Sequence, residues 1–274
     1  CISRQRIWGV PIPFFIHKKT GKLHPKMSQY LEEIVEKMEK NGIEAWYQLQ
    51  LSDYIKEEAN EYYKSKDILD VWFESGSSCE AVLKQRPELT FPADLYLEGS
   101  DQHRGWFQSS LLTSTAIYGT APYKTVLTHG FTVDAKGMKM SKSLGNVIAP
   151  EQVMKTLGAD ILRLWVASTD YSAEMSVSDE ILQRTADVYR RIRNTARYLL
   201  SNLNDFNPLE HAIPVSKCLK LDQYILHRAY VLNKAIQKAY EEYDFHSVCQ
   251  NIHYFCSIEL GSFYLDVIKD RQYT

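Results

Sequence analysis

Gly137-Met138-Lys139-Met140-Ser141-Lys142-Ser143-Leu144-Gly145-Asn146 sets two lysines on a loop bounded by glycines. Lysine carries a mobile point charge. A step that expels pyrophosphate from ATP needs cations that tighten as negative charge builds in the transition state. The plain alternative is a solvated basic loop, since exposed lysines are common and most do no chemistry. Upstream, Val126 to Val133 has the apolar and β-branched content of a strand, and Asp134-Ala135-Lys136-Gly137 is turn chemistry. Downstream, Ala149-Pro150-Glu151 opens a short helix that Gly158 closes, and Asp160 to Ala167 forms a second helical piece.

A second strand-to-helix turn precedes this one. From Leu95 to Phe107 an apolar strand end leads into Glu98-Gly99-Ser100-Asp101-Gln102-His103 and then a helix carrying Trp106 and Phe107. Open α/β sheets bind ligands at such turns. Gly99 allows close backbone approach, and Glu98 and Asp101 offer carboxylates to ribose hydroxyls or an α-amino group. A Glu-x-x-Asp at a helix start also reads as a cap. Asp70 to Gly76 reads as a buried strand leaving onto a turn. Ser28 to Lys40 and the acidic run Glu57 to Glu61 read as helices in a scaffold region.

The last third is helical, with the break near Ser178. Ile181, Thr185, Val188, Ile192, Ala196, Leu199 and Leu203 recur every three or four residues, and Asn204 to Pro208 ends that stripe. Leu221 to Tyr243 carries a second stripe, and Phe245, Val248, Ile252 and Phe255 begin a third, which together predict a bundle. Arg190, Arg193 and Arg197 lie opposite the first stripe, with Arg184 and Arg191 on its flank. Arginine suits phosphate contact, so RNA could run along this face; a solvated face with carboxylate partners reads equally well.

With 32 basic against 34 acidic residues among 274, bulk charge neither requires nor excludes a nucleic-acid partner. No apolar run reaches the roughly 18 residues of a membrane span, and no signal peptide is present, so the expected location is cytoplasmic. Five cysteines (Cys1, Cys79, Cys218, Cys249, Cys256) lack zinc-ribbon spacing and read as free thiols. His246, Cys249, His253 and Cys256 share a helix side. Ten residues of helix span about 15 Å, so the four cannot surround one ion, and a packed flank is the expected reading.

The lysine loop resembles the signature motif of class I aminoacyl-tRNA synthetases. Ile2-Ser3-Arg4-Gln5-Arg6-Ile7-Trp8-Gly9-Val10-Pro11, Asp70-Val71-Trp72-Phe73, Leu97 to Phe107, Leu127-Thr128-His129-Gly130-Phe131 and Phe263 to Tyr273 narrow the resemblance to the isoleucyl-tRNA synthetases. It implies an α/β fold: the C-terminal half of a Rossmann-like nucleotide-binding core over 1–178, then the start of an α-helical, tRNA-binding anticodon domain over 179–274. It also implies ATP with Mg2+, L-isoleucine and tRNA(Ile) as substrates. Lys139 and Lys142 would be catalytic. Glu98, Gly99, Asp101, Gln102, His129, Met140 and Ser141 would hold ATP or adenylate, while Trp8, Gln102 and Trp106 would form the isoleucine pocket. His129 also reads as an ordinary structural histidine.

The family's His-Ile-Gly-His type element is not in this sequence, and the chain starts at Cys1. It therefore reads as a fragment that lacks the first half of the core and the editing domain. Alone it is expected to be inactive, without proofreading, and without the zinc cluster that many members carry farther on. A non-catalytic tRNA-binding scaffold and a valyl- or leucyl-tRNA synthetase relative are the competing readings.

Overall fold

A computed structural model describes residues 2–273, so Cys1 lies outside the described residues. The chain divides into two compact units, one ending at Leu127 and the other beginning at Thr128.

The first unit opens with β1 (Ser3–Arg4), β2 (Phe15–His17), α1 (Met27–Asn41), α2 (Glu44–Gln48) and α3 (Ser52–Ile55), then β3 (Tyr62–Lys64) and β4 (Ile68–Leu69). Strands β1 and β4 pair antiparallel, as do β2 and β3. Phe15, Met27, Ile34, Trp46, Leu49, Ile55 and Tyr62 form the core under α1. The helix expected over Ser28 to Lys40 is present as α1. Lys64 closes this part: its Nζ donates to the carbonyls of Trp46, Tyr47 and Leu49 at 2.8, 2.9 and 2.7 Å. Carbonyls at a helix end have no partner within the helix, and Lys64 supplies one. Burial pushes its ammonium below the ordinary lysine value.

Two sequence expectations need correction here. Asp70 to Gly76 is not a buried strand: Asp70 Oδ1 accepts from the Trp72 N–H at 3.0 Å and caps α4 (Val71–Gly76). Val71 and Trp72 are exposed. A short Val-Trp-Phe run has strand composition, but the cap decides its backbone. The Glu57–Glu61 stretch is a six-residue 3₁₀ segment (Lys56–Glu61) and not an α-helix. The unit ends with β5 (Ala93–Gly99), α5 (Trp106–Tyr118) and β6 (Tyr123–His129), which pairs with β5 and runs on to the second unit.

The second unit carries β7 (Thr132–Val133), α6 (Pro150–Thr156), α7 (Ala159–Ser168) and β8 (Met175–Ser176). It continues with α8 (Asp179–Ser201), α9 (Pro208–His211), α10 (Lys220–Glu241), α11 (Phe245–Tyr254), α12 (Leu265–Val267) and α13 (Lys269–Tyr273). Ser178 caps α8 through the Ile181 N–H, which accounts for the break expected there. Val153, Trp165, Met175, Val177 and Leu182 pack β8, α6, α7 and α8 together. Ile225, Leu260, Leu265 and Ile268 hold the helical bundle, and Arg271 reaches Asp222 through two guanidinium nitrogens at 3.0 and 2.7 Å.

The expected strand from Val126 to Val133 breaks into β6 and β7 because the chain changes partner at Gly130. Gly130 N donates to Tyr171 O at 2.8 Å, Met175 N to Phe131 O at 2.8 Å and Val177 N to Val133 O at 3.0 Å. Strands β7 and β8 then pair in parallel. A Cβ on Gly130 would lie 2.0 Å from the Ala173 carbonyl oxygen, so only glycine permits this approach. Gly130→Ala is therefore expected to lower the unfolding free energy by about 2 kcal/mol or more, measured by chemical denaturation. Ala173→Gly should not rescue it, because the obstacle is backbone. A loss under about 0.5 kcal/mol, the level of a neutral surface change, would contradict this packing.

Candidate active site

Asp134 organises the lysine loop. Its Oδ1 accepts from the N–H groups of Lys136 and Met138, both at 2.9 Å, and its Oδ2 accepts from Asn146 Nδ2 at 2.9 Å. Asn146 Oδ1 in turn accepts from Ser141 N at 2.9 Å, and Ser141 Oγ from Leu144 N at 3.2 Å. These bonds pin both stems of the loop and fix the segment bearing Lys139 and Lys142. Gly137, at φ 75°, makes the turn. Met140 inserts against the Val153–Leu182 core and anchors the loop from below.

Lys139 and Lys142 are both exposed, and among the described residues neither pairs with a carboxylate. Lys139 Nζ sits 5.7 Å from the Phe131 ring centroid, a cation–π contact that leaves its N–H groups free for an anion. His129, half-buried at the end of β6, places Nδ1 2.9 Å from Gly130 O. The loop thus offers two unneutralised cations on a fixed backbone, an arrangement that suits a polyphosphate.

The Asp134 carboxyl is held below its ordinary value by the Asn146 hydrogen bond first and the Met138 N–H next. The sequence reading takes Asp134 as turn chemistry only and gives Asn146 no role. The usable signal was an aspartate opening the turn and an asparagine just past the closing glycine, since both side chains bond nearby backbone.

In the first unit, Glu98, Gly99, Asp101, Gln102 and Trp106 share one strand-to-helix turn, as the sequence suggested. Glu98 and Asp101 are exposed, and Gly99 is buried at the strand end. Neither carboxylate caps the helix. Gln102 does so: its Oε1 accepts from Trp106 N at 2.9 Å, while its Nε2 donates to Asp101 Oδ2 at 3.2 Å. Trp106 stacks on Tyr96 with centroids 4.1 Å apart and planes 7° apart, and its Nε1 donates to Ser75 O at 2.9 Å. The indole is therefore locked in one orientation. Trp8 is 65% exposed, with the Arg6 guanidinium 5.3 Å from its ring centroid.

On α8, Arg184 pairs with Glu180 at 2.6 Å and Arg190 with Asp187. Arg193 and Arg197 are exposed and have no carboxylate partner among the described residues. His246, Cys249 and His253 pack toward α7 and α8: His246 Nδ1 bonds Ser168 O, and Cys249 and His253 line a cavity of about 300 Å³ with Leu164, Ile181, Thr185 and Val188. Burial pushes the Cys249 and Cys256 thiols up, as suits packed, unreactive groups. No helix among the described residues is long and apolar enough to cross a membrane.

Residues 1–178 match the family described as tRNA synthetases class I (I, L, M and V). The chain belongs to that family. Residues 222–274 match the anticodon-binding domain of tRNA ligases. Isoleucine–tRNA ligases from Methylococcus capsulatus and Nitrosococcus oceani are each 62% identical over all 274 residues, and the chain spans 29% of their length. A leucyl enzyme from Agrobacterium radiobacter, solved as a LeuRS-tRNA-LeuAMS ternary complex, superposes with TM-score 0.74 at 20% identity over 98% of this chain and 37% of its own. The Mycobacterium tuberculosis methionyl-tRNA synthetase, solved with methionyl-adenylate, gives TM-score 0.61 at 20% identity over 76% of this chain and 42% of its own. These likenesses show the fold: a class I synthetase α/β core leading into helices, as the sequence implied.

Because the folded-state value of Asp134 lies below the unfolded one, its contribution is complete above the ordinary aspartate value of 3.8 and is lost as pH falls through the depressed value. The Lys136 and Met138 amide shifts in NMR should stay constant from pH 7 until below 3.8 and then move together. Asn146→Ala should bring that midpoint back toward 3.8. An unmoved midpoint would remove Asn146 from the clasp.

Proposed function

We propose that this chain contributes the lysine-loop part of an isoleucine–tRNA ligase, with 1–178 serving the catalytic core and 179–274 the tRNA-binding helices. The 62% identity to isoleucine–tRNA ligases along the whole chain carries the reading, and the ordered loop with two unpaired lysines supports it. The substrates on this reading are L-isoleucine, ATP entering with its Mg2+, and tRNA(Ile).

The isoleucine carboxylate oxygen attacks the α-phosphorus of ATP in line. A phosphorus–oxygen bond to isoleucine forms, the bond to the β-phosphate bridge breaks, and pyrophosphate leaves with that electron pair. Lys139 and Lys142 stabilise the charge accumulating on the leaving group, and the fixed loop backbone keeps their reorganisation small. On this reading His129 and Ser141 contact the ATP or adenylate beside the lysines, and Met140, seated on the core, holds the loop against it. Glu98 and Asp101 accept from the adenylate's ribose hydroxyls or α-ammonium group, with Gly99 and Gln102 contributing from the same strand-to-helix turn. Trp8 and Trp106 give the aliphatic side chain apolar walls. A terminal ribose hydroxyl of the tRNA then attacks the acyl carbon and AMP departs. Positioning of the reacting groups supplies much of the rate.

The deciding assay is isoleucine-dependent ATP–pyrophosphate exchange by the full-length protein. Lys142→Ala should lower kcat about 10²-fold with the KM for isoleucine little changed, the size of losing one preorganised transition-state contact. Exchange at the wild-type rate would remove that role. Arg193→Ala with Arg197→Ala should weaken tRNA binding and reduce the slope of log affinity against log salt by roughly 1 to 2, whereas Arg190→Ala, already neutralised by Asp187, should change it less. A slope unchanged in the double variant would return the face to solvent.

A further inference from the structure

Tyr171 is bonded at both ends. Its carbonyl accepts from Gly130 N at 2.8 Å, beside the strand that leads to the lysine loop. Its hydroxyl donates to Tyr243 O at 2.7 Å, in the corner that joins α10 to α11. That corner is tight: Tyr243 sits at φ 58°, Asp244 N donates to Ala239 O at 2.8 Å, and Asp244 caps α11 through Ser247 N at 3.1 Å. A left-handed tyrosine persists only where its surroundings over-determine it. A second strut runs in parallel, from His246 Nδ1 to the Ser168 carbonyl at the end of α7. The Tyr171 ring also lies 6.3 Å from Phe245. Burial first, and the Asp244 and Asp170 carboxylates next, raise the Tyr171 hydroxyl above its ordinary value, so it remains a donor at neutral pH.

From Tyr171 the connection to the loop is backbone throughout. Residues 171–177 bond to 130–133, β8 pairs with β7, and Val133 bridges to Lys139. The α10–α11 corner lies within the segment that matches the anticodon-binding domain.

We propose that Tyr171 is a positioning residue that ties the α10–α11 corner of the tRNA-binding helices to the strand carrying the lysine loop, so that the placement of those helices is felt at Lys139. This rests on the isoleucine–tRNA ligase reading for its meaning in the reaction, though not for its mechanics. A hydroxyl serving only local stability would loosen the corner and its immediate neighbours. A coupling residue loosens the far strand as well.

The test is amide hydrogen exchange on the full-length protein with Tyr171→Phe, which removes one oxygen and keeps the ring. Exchange at Gly130 to Lys139 should rise about five-fold, the size of one lost hydrogen bond, while α1 stays unchanged. In parallel, kcat for pyrophosphate exchange should fall several-fold with the KM for isoleucine unchanged. Faster exchange confined to Tyr243–His246, or no change anywhere, would overturn the coupling. Should Tyr171→Phe fail to fold, His246→Ala removes the parallel strut and must produce the same rise across Gly130 to Lys139. A wild-type protein with no isoleucine-dependent activity would sink the proposed function and leave the exchange result standing, so the two failures are separable.

Discussion

The backbone of Gly130 to Val133 lies against that of Tyr171 to Val177, and the lysine loop hangs from this contact. Three hydrogen bonds and a short parallel pair hold it, and a side chain at Gly130 would forbid it. On one side the pairing buries Val133 and sets Met175 and Val177 into a core with Trp165 and Leu182; on the other it delivers Asp134 to the start of the loop. Asp134 and Asn146 then convert a flexible, glycine-bounded stretch into a fixed one. Two exposed lysines on a mobile loop would be ordinary surface. Fixed in place and left without carboxylate partners, they become a cationic site awaiting an anion.

The same economy of partners recurs across the molecule. Lys64 has three carbonyl acceptors and is thereby committed to structure. Arg184 and Arg190 are neutralised by carboxylates one turn away, while Arg193 and Arg197 are not. In a chain with formal net charge −2, what separates a scaffold cation from one available to phosphate is this local pairing, not the total.

Much of this was legible in the sequence. The lysine motif, the strand-to-helix turn at Glu98–Gln102 and the apolar stripes after Ser178 all carry local chemical signals, and helices with a 3.6-residue apolar period declare themselves over many residues. What stayed hidden depended on partners distant in sequence or on single side-chain bonds. Asp70 turned an apparent strand into a helix with one capping bond. The break at Gly130 is invisible without the Ala173 backbone that faces it. Gln102 capped the helix that Glu98 or Asp101 seemed placed to cap. The specificity reading came from the resemblance and the relatives; periodicity and composition could not have supplied it.

On the proposed function, these residues form part of an adenylate site shaped for isoleucine. Calorimetric titration of the full-length protein with a non-hydrolysable isoleucyl-adenylate analogue, against its valyl and leucyl counterparts, tests it most directly. The isoleucyl form should bind tightest, with the valyl form weaker by roughly 10- to 200-fold, the worth of one methylene in an apolar pocket. Equal affinity for all three, or preference for the leucyl or valyl analogue, would contradict it.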